Sequence, residues 1–410
     1  MKRIKYIAKN ELYALFFSPI AWIMMIIFII VTSAAYLGIL DAMAGAYQRG
    51  GPSLMQCEYL TSKMTTENRG SFIRGVIDSL YVFIPLITMG LISREISSGT
   101  IKLLQSSPLR IREIVLGKFL AMLVFIGCLL ALLGVILVPF CIELFHPDYS
   151  QLAASLFGLF MILGTYAAAG LFISSLTSYQ IVAAIATFGL FAALQNIGRS
   201  FQDIDVMRNI TWYLNINEKS YNFVHGLLNL RDFFYFLIII GSLLLFTIIR
   251  MRSGMESISW WKKARRYLVV MAIAFVVAYI TTIPQLNVYF DSTRNEVLTI
   301  TPPTRAMLAK LDDGPLEITA YSNLFEGYGN FSPENQNYII HEVWDPYIRF
   351  KPDIHLKFIY YYDLDSSSYR FKINPGQPAS ETAPAYKITA DRPAHRHAQI
   401  YNPHPPPPDL

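Results

Sequence analysis

ISREISSGTIKLLQSSPLRIREIVLGK, residues 92–118, stands between two long apolar runs, and its reading decides that of the whole chain. It holds five basic and two acidic side chains, a Ser-Gly-Thr turn at 98–100 and a Ser-Ser-Pro helix start at 106–108. Ile96, Thr100, Leu103 and Leu104 can share one face of a short helix. Ser107-Pro108 predicts the start of a second, because Ser caps a helix and Pro suits its first turn. That second helix leads through Ile111, Ile114 and Val115 into the next apolar run. On charge alone the segment is a solvated loop that fixes topology. Its helix–break–helix pattern also suits a stiff elbow, which can pass motion between the helices on either side.

The surrounding composition is that of a membrane protein. Of 410 residues, 53% are hydrophobic and 15% charged, against about 25% charged in ordinary soluble domains. Mean hydropathy is +0.37. Seven stretches meet or approach the ~20 apolar residues that a spanning helix needs: 19–40, 75–93, 119–140, 155–176, 180–197, 233–250 and 267–284. The first is too long for a signal-peptide core and is read as an uncleaved span. Residues 2–17 mix Ile4, Tyr6, Ile7, Leu12, Leu15, Phe16 and Phe17 with Lys and Glu, as an interfacial amphipathic helix does. Three cysteines, Cys57, Cys128 and Cys141, make no disulfide framework.

Charge sets the orientation. With Met1 inside, segments 1–18, 94–118, 177–179 and 250–266 carry fifteen basic and four acidic residues. The opposite loops and flanks up to Asp232 carry eight basic and ten acidic. This positive-inside bias predicts a cytoplasmic N-terminus and an extracytoplasmic portion from 285 onward. The net charge of +5 is therefore a topology signal and not a nucleic-acid patch. Loop 41–74 carries no motif, and Trp212, Tyr213, Tyr221 and Phe223 in 198–232 suit an aromatic belt.

Beyond the last span the pattern shortens. Strands are expected at LNVYF (286–290), VLTI (297–300), 315–321 and 354–362. Helices are expected from Thr301-Pro302-Pro303 to about Leu311, and from Ser332-Pro333-Glu334 with Ile339, Ile340, Val343, Trp344 and Tyr347 on one face. That alternation predicts a small α/β layer with a parallel sheet, followed by a Pro-rich tail over 375–410.

Several chemistries lack their residues. The spans are nearly free of ionisable side chains, Asp78 being the main exception, which argues against ion-coupled transport. Gly117-Lys118 is followed by Phe119 and has no upstream glycine partner, so it is not a phosphate-binding loop. His341-Glu342-Val343-Trp344-Asp345 puts Asp where a zinc protease has its second His. His395, His397 and His404 lie in the tail, where metal binding would be adventitious.

The 92–118 stretch resembles the cytoplasmic loop of ABC-2 type permeases, the membrane subunits of ABC exporters. Glu95, Gly99, Thr100, Leu104, Ser107, Pro108, Glu113, Gly117 and Lys118 fit that family's loop, and Arg94, Arg110 and Arg112 flank them. The 2–17 helix and the Gly226–Asp232 string, GLLNLRD, extend the resemblance over about residues 1–250. It implies that the loop is a coupling helix received by a partner ABC ATPase, which carries ATP and Mg. It also implies a dimer of membrane subunits, with no cofactor and no catalysis in this chain. The segment YFDSTRNEVLTITPPTRAMLAKLDDGPLEITAYSNLF resembles the start of a gliding-motility-type auxiliary domain, matched at Asp291, Thr293, Leu298, Thr299, Leu311, Pro315, Ile318 and Tyr321.

The expected protein is thus a mainly α polytopic membrane protein of about seven helices followed by a small α/β extracytoplasmic domain. Its parts are a permease domain over 1–250, a cytosolic join and seventh span over 251–284, an auxiliary-type domain over 285–374, and the tail. The expected role is that of a permease in an ATP-driven exporter of the cell membrane, touching lipid and binding no nucleic acid. The alternative is a membrane-anchored scaffold whose external domain binds an envelope protein without transport. An adjacent gene for an ATPase would separate the two.

Overall fold

Ser18-Pro19 divides the first two helices, α1 (Lys2–Phe16) and α2 (Pro19–Gln48), because proline loses nothing at a first helical position. The Trp22 indole donates to the Phe16 carbonyl at 2.6 Å and so closes the end of α1. These helices open a computed structural model that describes residues 2–49, 72–106, 109–143, 148–199, 205–256, 259–281, 288–294, 296, 298–311, 314–323 and 335–361. Cys57, Ser107, Pro108, the three tail histidines and the 375–410 segment lie outside the described residues.

Then follow α3 (Phe72–Thr88), α4 (Ser93–Ser97), α5 (Thr100–Ser106), α6 (Ile111–Glu143), α7 (Tyr149–Ser174) and α8 (Gln180–Asn196). They are succeeded by α9 (Asp205–Leu214), α10 (Ile216–His225), strand β1 (Leu227–Asn229), α11 (Leu230–Ser253) and α12 (Trp260–Thr281). Among the described residues six helices are long and apolar enough to cross a membrane, where the sequence suggested seven. The difference is α8, whose 17 residues rise about 25 Å against a hydrocarbon thickness of ~30 Å. A 3₁₀ turn at Ile197–Arg199 continues it by about 6 Å.

The centre of the bundle is α7. Two-thirds of its apolar window (67%) is buried, against 6% for α12, which packs chiefly on α11. Small residues place α7 there. A Cβ on Gly158 would lie 2.6 Å from that of Phe223, and one on Gly170 would lie 2.1 Å from Thr88 Oγ1. Without a side chain at these points the Phe223 backbone closes on Gly158 and the Thr88 side chain on Gly170, which is how helices adhere where lipid removes the hydrophobic drive. Aromatic rings fill the remaining space, with Tyr166 stacked on Phe191 at 4.2 Å.

At the end of the bundle holding the N-terminus of α7, the chain is stitched by polar contacts. Gly226, at φ +99°, turns the chain into β1, which pairs antiparallel with β2 (Tyr289–Asp291). Ser292 N donates to Gly226 O at 2.9 Å, and Leu230 N to Val288 O at 2.9 Å. Asp148 caps α7 through Gln151 N and also accepts from Arg294 N at 2.7 Å. Asn229 caps α11 by accepting from Arg231 N at 3.0 Å. Asp232, in the favourable first turn, is fully buried. Its carboxylate accepts from Asn222 Nδ2 at 2.8 Å and has Arg231 and Lys219 within 3.7 and 4.0 Å. Asp78, the ionisable exception of the sequence reading, is exposed, as a solvated helix end is, whereas Asp232, one residue before the expected span 233–250, is fully enclosed.

The described residues fall into two compact units, Met1–Gly198 with Tyr213–Leu298, and Arg199–Trp212 with the chain from Thr299 on. In the second, β3 (Leu316–Asn323) and β4 (Ile354–Tyr361) pair in parallel from Leu316 opposite Ile354 to Asn323 opposite Tyr361. Helix α13 (Pro302–Ala309) starts at the anticipated prolines. Arg305 holds its register by donating to Ile300 O and lying 4.6 Å over the Phe350 ring.

Three local expectations need correction. The strand at 286–290 forms over 289–291, but it pairs with β1 in the first unit and not with the parallel sheet. No strand forms at 298–300, because Asp291 Oδ2 takes the Leu298 amide at 3.0 Å and bends the chain away. The second helix is interrupted by a π turn, Ile339–Val343, closed by Trp344 N on Ile339 O. Its extra residue rotates the intended face, leaving Ile339 4% and Val343 50% exposed. His341 stacks on Trp212 at 5.2 Å, and Asp345 pairs with Arg349.

The contact at Gly170 is testable. Gly170→Ala should destabilise the solubilised protein by about 1–3 kcal/mol through overpacking against Thr88. Gly189→Ala, where a Cβ meets nothing within 4 Å, should leave the melting temperature unchanged or slightly higher.

Candidate functional site

Gly99 has φ +73°, a conformation that side-chain-bearing residues rarely adopt, and it breaks the 92–106 segment into α4 and α5. Across the break the Ser98 and Thr100 hydroxyls hydrogen-bond at 2.8 Å. The expected single helix through Leu104 is therefore two short ones, with a break at Gly99. Leu104 lies in α5, but its side chain is outside the described residues. Leu103 in the same helix is 71% exposed, an aliphatic side chain flanked by the exposed Lys102.

Helix α6 begins at Ile111, three residues after Pro108, and the reason is local. Glu113 Oε2 accepts from Arg110 N at 3.0 Å, so the third helical residue reaches back to the capping position. Arg3 of α1 lies 3.9 Å from the same carboxylate. Arg94, Arg110 and Arg112 are exposed.

One turn further along α6, Lys118 is the most enclosed cation of this end of the bundle, its side chain 2% exposed. Its Nζ donates at 2.6 Å to Glu95 Oε1 of α4 and at 2.6 Å to Glu11 Oε1 of α1. Three helices thus meet on one ammonium. The adjacent Gly117 permits the approach, since a Cβ there would lie 2.6 Å from Ile7 Cγ2 and 3.3 Å from Ile4 O. Gly117-Lys118, dismissed as a phosphate loop, is the packing point of α1 on α6.

The last turn of α7 holds the other side. Ser174 Oγ accepts from Ile92 N and Ser93 N, both at 3.0 Å, and donates to Met89 O at 2.8 Å. It thereby serves amides at the start of α4 that lack a helical carbonyl. A small cavity next to Glu11 is lined by Leu15, Leu86, Leu91, Arg94 and Gln180.

The structure therefore brings Glu95, Glu113, Gly117 and Lys118 together with α1, and leaves Arg94, Gly99, Thr100, Arg110 and Arg112 at the exposed rim. Sequence reasoning missed Glu11 and Ser174. Glu11 is the only carboxylate in the first forty residues, a signal that was available. Ser174 carried none, one hydroxyl among many in apolar runs.

A family model described as "ABC-2 family transporter protein" matches residues 6–280. No curated protein and no solved structure matches the chain.

Removing Lys118 would leave two enclosed carboxylates facing one another. Lys118→Ala should cost about 3–5 kcal/mol. It should also loosen α1, so that limited trypsin digestion cleaves after Lys5 and Lys9 faster than in the unaltered protein. An unchanged melting temperature and digestion rate would refute the three-helix anchor.

Proposed function

The chain belongs to the ABC-2 transporter family, and on that premise we propose that this membrane transport subunit couples a separate ABC ATPase to substrate export through α4 and α5. The observation that carries the reading is the anchoring of an exposed element on an enclosed ion bridge. Helix α5 offers Leu103 outward, while Glu95 on the preceding turn is tied through Lys118 to α1 and α6. Ser174 ties the same segment to α7. A displacement applied at α5 then reaches three helices as a unit, because short charge-assisted bonds and packed helices move together.

In this reading ATP and Mg bind the partner chain, two membrane subunits share two ATPases, and the basic 1–18, 94–118 and 250–266 segments face the cytoplasm. The chain from 285 on would then be extracytoplasmic and of the gliding-motility auxiliary type. Support for that assignment is the Asp291-Ser292-Thr293 turn, where Asp291 Oδ1 accepts from Thr293 N at 3.0 Å and Oγ1 at 2.6 Å, followed by the α13–β3 sequence.

Leu103→Asp tests the coupling role without touching the bundle. Co-purification of the ATPase should fall at least about tenfold, as for a central interface residue, while membrane level and melting temperature stay unchanged. Gly99→Pro, which cannot adopt a positive φ, should also uncouple ATP hydrolysis from transport. Normal association and transport in both variants would overturn the assignment.

A further inference from the structure

We propose that Arg250 near the end of α11 and Lys262, Lys263 and Arg265 in the first two turns of α12 bind anionic phospholipid headgroups. Residues 250–266, RMRSGMESISWWKKARR, contain six basic side chains and a single carboxylate, Glu256. Both oxygens of Glu256 are occupied, by Arg252 at 2.8 Å and Arg266 at 2.9 Å. The hydrogen bond from Arg266, then that from Arg252, holds the Glu256 carboxyl below the usual range, so it remains an engaged anion at any ordinary pH. Among the described residues no carboxylate lies within ion-pair distance of Arg250, Lys262, Lys263 or Arg265. Arg250, Lys262 and Arg265 are exposed and Lys263 is half-buried.

This arrangement gains from anions that come from outside. A helix N-terminus carries about half a positive charge, and cations there are repelled. Helix α12 has no acidic residue in its first turn, and the Lys262 and Lys263 amides reach back to Ser259 O at 3.0 and 3.2 Å. Trp260 and Trp261 stand 68% and 74% exposed beside these cations, edge to face at 4.7 Å. Indoles at the start of a spanning helix belong at the headgroup level. The spacing agrees: from Lys262 to Leu268, where the uninterrupted apolar run begins, the helix rises about 9 Å, roughly the depth of one headgroup layer. Four uncompensated cations and two indoles therefore lie where lipid phosphates are, and charge complementarity selects anionic over zwitterionic lipids.

The full chain is reconstituted in phosphatidylcholine nanodiscs with brominated phosphatidylglycerol or brominated phosphatidylcholine at equal fraction. Quenching of the Trp260/Trp261 emission is then taken as the difference from Trp260→Phe/Trp261→Phe. Brominated phosphatidylglycerol should quench at least about twofold more, and each neutralisation in Lys262→Gln/Lys263→Gln/Arg265→Gln should weaken the preference by up to about fivefold. Equal quenching by the two lipids in the unaltered protein, measured against a Trp260→Phe/Trp261→Phe reference whose melting temperature matches it, overturns the proposal and does not depend on how the charge variants fold. Loss of the preference in inorganic phosphate but not in sodium chloride of equal ionic strength assigns the cations to a free anion and overturns the lipid source. Equal quenching together with lost ATPase co-purification in the triple variant assigns them to a protein partner.

Discussion

The ammonium of Lys118 donates to two carboxylates from different helices inside a setting that leaves 2% of its side chain in contact with water. Taking three charged groups out of solvent costs several kcal/mol for each ion, and only short, well-directed bonds offset that cost. Both contacts are 2.6 Å, and neither survives a shift of α1, α4 or α6 by an ångström. An exposed pair such as Arg252–Glu256 is screened by solvent and constrains little. The buried bridge constrains much, because the alternative to keeping it is an uncompensated charge. The cap at Glu113, the close approach at Gly117 and the break at Gly99 are all arranged around that point.

The other constraint is steric. Helix α7 carries its glycines where neighbours arrive, and its terminal hydroxyl, Ser174, where amides at the start of α4 need an acceptor. A helix with larger residues at 158 and 170 would hold α3 and α10 further off. The polar site at one end of the bundle therefore rests on close packing through its middle. Helix α12, 6% of whose apolar window is buried, takes no part in that packing.

Much of this was legible in the sequence, and the limits are instructive. Apolar runs marked the spans because composition alone sorts lipid-facing segments, and Gly99 and Pro19 marked breaks because their backbones allow little else. The 92–118 residues stood out by their charges and turns, yet their partners did not follow from them. Glu11 and Ser174 lie 84 and 79 residues from Glu95 along the chain, and no local periodicity encodes such pairing. The same holds for β1 with β2, since three-residue strands carry no alternation to read. The π turn at 339–343 was invisible because a 3.6-residue pattern was assumed throughout. Short α8 sat near the length threshold, where counting residues cannot decide between a full crossing and a partial one.

The pairing of Leu227–Asn229 with Tyr289–Asp291 has a topological consequence. One strand immediately precedes α11 and the other comes after α12, so the two helices form a loop buckled shut at its open end. The start of α11 and the end of α12 must therefore lie on one face of the bilayer, whatever path the earlier helices take. A rearrangement that flipped α12 alone would first have to unfasten the buckle, together with the Asp148 bond to Arg294 N that sits beside it.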